Sequence, residues 1–201
     1  MQLAQQLAFL REIDKLKTVI RQTHIADESR KENTAEHSWH IAMAAITLAD
    51  YADAPIDILR VVKMLLLHDI VEIDAGDTFA FDTVGYQDKF EREQAAAERI
   101  FGLLPAAQAQ EFEALWHEFE AVETDDAKFA NAIDRFLPFL HNDWSDGRSS
   151  WLNHAPTYEQ VYQRNATGVG QISAELWAYV QKMLLQAVDD GWLAAPVTQE
   201  K

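Results

Sequence analysis

Ile58-Leu59-Arg60-Val61-Val62-Lys63-Met64-Leu65-Leu66-Leu67-His68-Asp69-Ile70 is the stretch on which the reading of this chain turns. From Ile58 to Leu67 only Arg60 and Lys63 interrupt a run that is apolar on nearly every face of a helix. A helix of that kind belongs at the centre of a domain. It runs straight into two ionisable neighbours, His68 and Asp69, and burying either one unpaired is costly. The pair therefore requires a partner or a metal. Taken alone, it also fits a satisfied core histidine followed by a helix-end aspartate.

Outward from this stretch, apolar residues recur at helical spacing almost everywhere and alternating β-branched runs are scarce, so the chain reads as all-α, a helical bundle. The first helix is expected over residues 3–21. A second begins near Asn33, where Asn33 with Glu36 makes a capping-box variant, and carries Trp39, Ala42, Met43, Ile46 and Ala49 as one stripe. Residues 74–85 mix Asp, Gly and Thr with aromatics and read as a loop. Further helices are expected at 87–103, 105–122, 125–142, 158–165 and 173–190, with Pro105 in a first turn and Pro138 kinking its helix or moving its boundary. Residues 144–156 read as a long surface connection. In the helix around residue 115, Phe112, Leu115, Trp116 and Phe119 form a packing stripe, and Glu113, Glu118 and Glu120 a solvated face. Gln163-Arg164-Asn165 fits either a pocket lining or a subunit contact.

The chain has 201 residues, and at this length one domain over 1–201 is expected, its core at about 15–144 with the C-terminal helices packed on it. A net charge of −16 argues against a nucleic-acid polymer or an anionic membrane surface as partner, since both would be repelled. There is no cysteine, which removes disulfides, thiolate ligands and a Cys nucleophile together. Any metal must be held by nitrogen and oxygen. With no apolar run of membrane-spanning length and no basic, apolar leader at the N-terminus, a cytoplasmic location is expected.

Two further positions bear on His68-Asp69. His37 is followed at helical spacing by Ile41, Ala44 and Leu48, so it can turn inward. Asp134 borders the stripe Phe129, Ile133, Phe136, Leu137 and Leu140. Converging in a bundle core, His37, His68, Asp69 and Asp134 would offer two imidazoles and two carboxylates to one divalent cation, leaving positions open for water and substrate. Such a cation lowers the pKa of water and offsets charge on a phosphoryl oxygen. Manganese, cobalt, iron, nickel or zinc suit the donors, and magnesium suits the nitrogens less. His40, one turn from His37, reads as structural, and His24, His117, His141 and His154 show no ligand spacing to one another. One metal is expected.

In its His, His-Asp doublet and distant Asp, here His37, His68-Asp69 and Asp134, the chain resembles the HD-domain metal-dependent phosphohydrolases. The flanks Arg30-Lys31-Glu32-Asn33-Thr34-Ala35-Glu36-His37-Ser38, His68-Asp69-Ile70-Val71-Glu72 and Ala75-Gly76-Asp77-Thr78 look like its small single-domain branch that includes bacterial 5′-deoxynucleotidases. The resemblance covers about 15–144. It implies an HD-domain helical bundle with Glu72, three residues after Asp69, as a catalytic residue, and Asp77 in substrate handling and turnover. By the residues alone, Glu72 could equally be an exposed helix-terminal glutamate and residues 74–78 a simple turn. A phosphate also needs a positive group, for which Arg21 and Arg30 are the candidates. Arg21 resembles a substrate-contacting Arg of the deoxynucleotidases, allowing one residue of insertion, but Gln22 follows where that branch has Trp. A homodimer is implied by the resemblance alone.

The expected activity is hydrolysis of a phosphate monoester, foremost a (deoxy)nucleoside 5′-monophosphate, by water activated at the metal with Glu72 and Asp77 assisting. The alternatives are the same chemistry on a phosphodiester, nucleoside polyphosphate or sugar phosphate, and a non-catalytic nucleotide-sensing module with a structural metal.

Overall fold

The computed structural model describes residues 1–80, 85 and 87–195. Its elements are α1 (Gln2–Ile13), a 3-10 turn (Asp14–Thr18), β1 (Ile20–His24), β2 (Lys31–Asn33), α2 (Thr34–Leu48), a 3-10 turn (Ala49–Tyr51) and α3 (Ile58–Leu67). A third 3-10 turn (His68–Val71) leads into α4 (Glu72–Ala75), followed by α5 (Lys89–Phe101), α6 (Ala106–Ala121) and α7 (Asp125–Trp144). Then come α8 (Trp151–His154), α9 (Tyr158–Ala166), α10 (Val169–Ile172) and α11 (Ala174–Asp189). The all-α expectation holds apart from one small antiparallel hairpin, β1 with β2.

Side chains that compete for backbone groups start the helices that carry the site. The Asn33 side chain accepts from the Glu36 amide at the head of α2 at 3.0 Å, Asp57 accepts from the Leu59 and Arg60 amides at α3, and Thr124 accepts from the Ala127 amide at α7. Each cap satisfies donors that the first helical turn leaves unpaired. Helix α3 packs among α2, α6 and α7 and buries Val61, Met64, Leu65 and Leu67, while Leu59 and Leu66 keep solvent contact. One hydrophobic cluster runs from Phe9 to Leu193 through this helix.

Four local expectations are corrected. The first helix ends at Ile13 rather than near residue 21 and gives way to a 3-10 turn; extended backbone begins at Val19, where Val19, Ile20 and Thr23 are β-branched and favour it. Arg21 consequently sits on β1, not at a helix end. On α2, Trp39, Met43 and Ile46 are exposed and only Ala42 of the expected stripe is buried. The buried face is instead that of His37, Ser38, Ile41 and Ala45.

Residues 144–156 are the last correction, for the segment is only partly at the surface: Trp144 and Leu152 are exposed, but Ser145, Ser149, Ser150 and Trp151 are buried. Asn142 Oδ1 accepts from the Ser150 and Trp151 amides at 2.8 and 2.9 Å, and its Nδ2 donates to Ser150 Oγ and to the Pro138 carbonyl at 2.9 Å each. The Ser149 hydroxyl and carbonyl in turn bond His24, so this segment anchors β1 against the end of α7. Helix α7 continues through Pro138. Pro138 has no N–H to give the Asp134 carbonyl one turn back, which loosens α7 locally beside the site. Of the expected loop at 74–85, residues 81–84 lie outside the described residues. Gly76, at φ 76°, ends α4 in a conformation that a Cβ disfavours.

Removing the Asn142 side chain would leave two buried amides and two buried acceptors short of a partner. Asn142→Ala is expected to cost about 3 kcal/mol, seen as a fall in the urea midpoint with an unchanged slope.

Candidate metal and phosphate site

Four elements deliver the ionisable residues to one place: α2 brings His37, the turn after α3 brings His68 and Asp69, α7 brings Asp134, and β1 brings Arg21. The two imidazoles converge on one carboxylate oxygen. His37 Nε2 lies 2.8 Å, and His68 Nε2 3.6 Å, from Asp134 Oδ1, and His68 Nε2 is 3.0 Å from Asp69 Oδ1. His37 is fully buried and His68 nearly so. Donor atoms of His37, His68 and Asp69 all lie within 4.8 Å of one another.

The outer nitrogens decide what the inner ones can do. His68 Nδ1 sits 2.9 Å from the Leu65 carbonyl. A carbonyl only accepts, so Nδ1 carries the proton and Nε2 presents a lone pair when the ring is neutral. That buried Nε2 makes no hydrogen bond. A buried imidazole nitrogen that faces two carboxylates without a hydrogen bond is an arrangement a divalent cation completes in place of a proton, and the donor set fits one. Glu32 Oε2 faces His37 Nδ1 at 3.3 Å, within ion-pair reach though without a hydrogen bond. Sequence reasoning passed over Glu32, although it lies within the quoted flank of His37.

Without a cation the charges lean on one another. Burial works against protonation of His68, yet Asp69 and Asp134 raise it well above the usual imidazole value; His37 is raised more modestly by Asp134 and Glu32, against burial and Arg21. Burial opposes ionisation of Asp69 as well, but His68 and Arg21 hold its carboxyl down at about 2. Asp134 is held well below the carboxylate range by the two histidines.

Arg21 Nη1 donates to Asp69 Oδ2 at 3.0 Å and lies 3.6 Å from Asp77 Oδ1, so the hairpin places a cation at the site. Arg30 does not join it. It is exposed at the outer end of the hairpin, and its guanidinium fork is taken by Glu36 at 2.8 and 2.9 Å, which corrects the expectation that it receives phosphate. Glu72 is buried, not an exposed helix end, and accepts from Thr34 Oγ1 at 2.9 Å. Burial, then the Asp69 and Asp77 carboxylates, push its carboxyl well above the usual range, against the pull of Arg21. Burial likewise raises Asp77. Thr34 had no signal of its own in the sequence beyond its place in the α2 cap.

These groups open onto a cavity of about 290 Å³ lined also by Phe79, Phe119, Arg135, Trp151, Arg164 and Asn165. Phe119 packs its ring 4.6 Å from that of His68, and Leu115, Trp116 and Phe119 are buried as the packing stripe requires. Of Gln163-Arg164-Asn165, Arg164 and Asn165 reach the cavity.

A cation must displace the protons that the two imidazoles hold below their raised values, so binding strengthens as pH rises and releases protons. Titrating metal-stripped protein with manganese is expected to show affinity climbing by up to about tenfold per pH unit for each proton displaced. Asp134→Asn should abolish the metal-dependent rise in melting temperature, measured by calorimetry with and without manganese.

The HD domain profile matches residues 13–177 of the chain. Human 5′-deoxynucleotidase HDDC2 is 31% identical over 164 residues, which span 81% of this chain and 76% of that protein. The 5′-deoxynucleotidase hdd1 of Schizosaccharomyces pombe is 26% identical over 190 residues, spanning 92% and 85%. Among solved structures, a predicted metal-dependent phosphohydrolase from Magnetospirillum magnetotacticum MS-1 is 52% identical with a TM-score of 0.88, covering 96% of this chain and 99% of that one. With its His, His-Asp and Asp residues gathered at the C-terminal end of a buried helix and its sequence matched over most of its length, this chain belongs to the HD domain family.

Proposed function

We propose that the protein is a metal-dependent phosphohydrolase that cleaves the phosphate monoester of a (deoxy)nucleoside 5′-monophosphate, with His37, His68, Asp69 and Asp134 holding one divalent cation. The observation that carries this reading is His68 Nε2, buried without a hydrogen bond between Asp69 and Asp134 on the lining of a cavity that also holds Arg21. The names of the relatives and of the similar solved structure point the same way. When bound, the cation supplies Lewis acidity, making water a nucleophile near neutral pH and offsetting charge on a phosphoryl oxygen.

The remaining steps fall to the chain's own side chains. Glu72 keeps its proton because burial and the neighbouring carboxylates oppose its charge, and Thr34 donates to one of its oxygens, leaving the other to carry that proton. Glu72 is thus built to give a proton to the departing 5′-oxygen. Arg21, held protonated chiefly by Asp69 despite its burial, has further N–H groups for a phosphate. Asp77 keeps Arg21 at the cavity. Arg135 and Arg164 on the lining add positive potential that a chain of net charge −16 otherwise lacks near its substrate. Gln22, also on the lining, is tied to Lys31 on the partner strand at 2.7 Å and offers no aromatic face to a sugar or base.

Two features concern the protein's surroundings. The exposed α2 stripe of Trp39, Met43 and Ile46 supports a homodimer, since such a stripe on a monomer would leave apolar surface in water. Among the described residues no helix is long and apolar enough to cross a membrane, and with the absence of cysteine this supports a cytoplasmic location.

Phosphate release from ribo- and deoxyribonucleoside 5′-monophosphates, with manganese, cobalt, magnesium or zinc returned to stripped protein, tests the reading. Release should need metal, vanish in Asp69→Ala and fall by about a hundredfold or more in kcat in Glu72→Gln. Wild-type protein that holds metal yet releases no phosphate from any monoester would refute it, and turnover of diesters, polyphosphates or sugar phosphates, or tight nucleotide binding without turnover, would then name the successor. For the assembly, light scattering should give twice the chain mass, shifting to the single-chain mass in Trp39→Asp.

A further inference from the structure

On the Nδ1 side of His37 lies a second group of metal-ligating side chains that the reaction does not use. We propose that Glu32, His40 and His141 form a binding site for a second divalent transition-metal ion of the zinc class, separate from the His37, His68, Asp69 and Asp134 set.

Three elements build it: Glu32 comes from β2, His40 from α2 and His141 from α7. His40 follows His37 by three residues on α2, and His141 follows Asp134 by seven on α7. Both offsets keep a side chain on the same helix face, so the helices that deliver two ligands to the first set deliver two more further along. One donor atom from each of Glu32, His40 and His141 lies within 4.8 Å of the other two. An ion with bonds of about 2.0–2.1 Å draws tetrahedral donors to about 3.4 Å apart, which small side-chain adjustments supply.

The buried polar atoms are the second observation. His141 and Glu32 are each 2% exposed, and His141 Nδ1 makes no hydrogen bond. Such atoms call for a ligand. The same signature, a buried imidazole nitrogen without a partner beside a carboxylate, marks His68 in the first set. The His40 and His141 rings lie with centroids 5.5 Å apart at 43°, comparable to His37 and His68 at 6.2 Å and 55°. Burial lowers both His40 and His141, the latter to about 4, which favours the neutral ring that a metal ligand needs.

Trp144 flanks both rings, with centroids 6.4 and 5.7 Å away, and Trp39 flanks His40 at 5.8 Å. Two nitrogens and one oxygen from the protein leave a fourth position for water, the coordination expected of a zinc-class ion. Glu32 has two oxygens, and while one faces His37 Nδ1 the other can take the ion. An ion held there would fix Glu32, and through it the orientation of His37.

Counting bound metal decides the matter without any assay of turnover, so the outcome is independent of the substrate proposed above. Stripped full-length protein is loaded with excess zinc, desalted, and its zinc measured by mass spectrometry. The wild type is expected to retain two ions per chain, His40→Ala and His141→Ala one each, and Asp134→Ala one, which is lost when His40→Ala is added. His40 is half-buried, so His40→Ala keeps the test open if His141→Ala fails to fold, with circular dichroism reporting on folding. Cobalt in the Asp134→Ala protein should give visible absorption that disappears on adding His40→Ala. Equal zinc content in wild type, His40→Ala and His141→Ala overturns the proposal and leaves the three residues as a polar support for His37.

Discussion

The structure depends on one constraint: two imidazoles and two carboxylates have been carried into the apolar centre of a helical bundle, where none of them can stay charged alone. Every nearby element answers that demand. The Leu65 carbonyl takes the outer nitrogen of His68, Glu32 faces that of His37, Arg21 reaches across from the hairpin to Asp69, and Thr34 holds Glu72. Burial makes each pairing stronger than it would be in water and each missing partner more costly. His68 Nε2, which faces two carboxylates without a hydrogen bond, is therefore the informative atom.

The small hairpin shows how a minor element can position chemistry. Its two strands span few residues, yet β1 carries Arg21 and β2 carries Glu32 immediately before the Asn33 cap that starts α2. The far end of β1 is secured by His24 against Ser149, and that segment by Asn142 at the end of α7. A chain of buried hydrogen bonds thus connects the helix that bears Asp134 to the strand that bears Arg21. Their side chains share one site because their backbones share one scaffold.

Charge explains the placement of cations as well. In a chain of net charge −16 an anionic substrate is repelled at long range, so attraction has to be local. Arg21, Arg135 and Arg164 stand on the cavity lining, contributed by β1, α7 and α9. They are far apart in sequence and close in space, whereas Arg30, nine residues from Arg21, is spent on Glu36 at the surface.

Much of this was legible from the sequence by itself, for a physical reason: helical periodicity and the cost of burying His68 and Asp69 at the end of an apolar helix are local properties. The central position of α3, the cap at Asn33, the packing role of Trp116 and Phe119, and the inward turn of His37 all follow from spacing within one element. What only the tertiary structure decided were the relations between elements. The strand at residues 20–24 forms because residues 31–33 lie beside it, and the exposed stripe of Trp39, Met43 and Ile46 follows from which face of α2 met α3 and α7. The burial of Ser145, Ser149, Ser150 and Trp151, the meeting of Thr34 with Glu72, and the grouping of Glu32 with His40 and His141 have the same origin. No periodicity along the chain can report a contact between residues 109 positions apart, such as Glu32 and His141, because that closeness is created by packing.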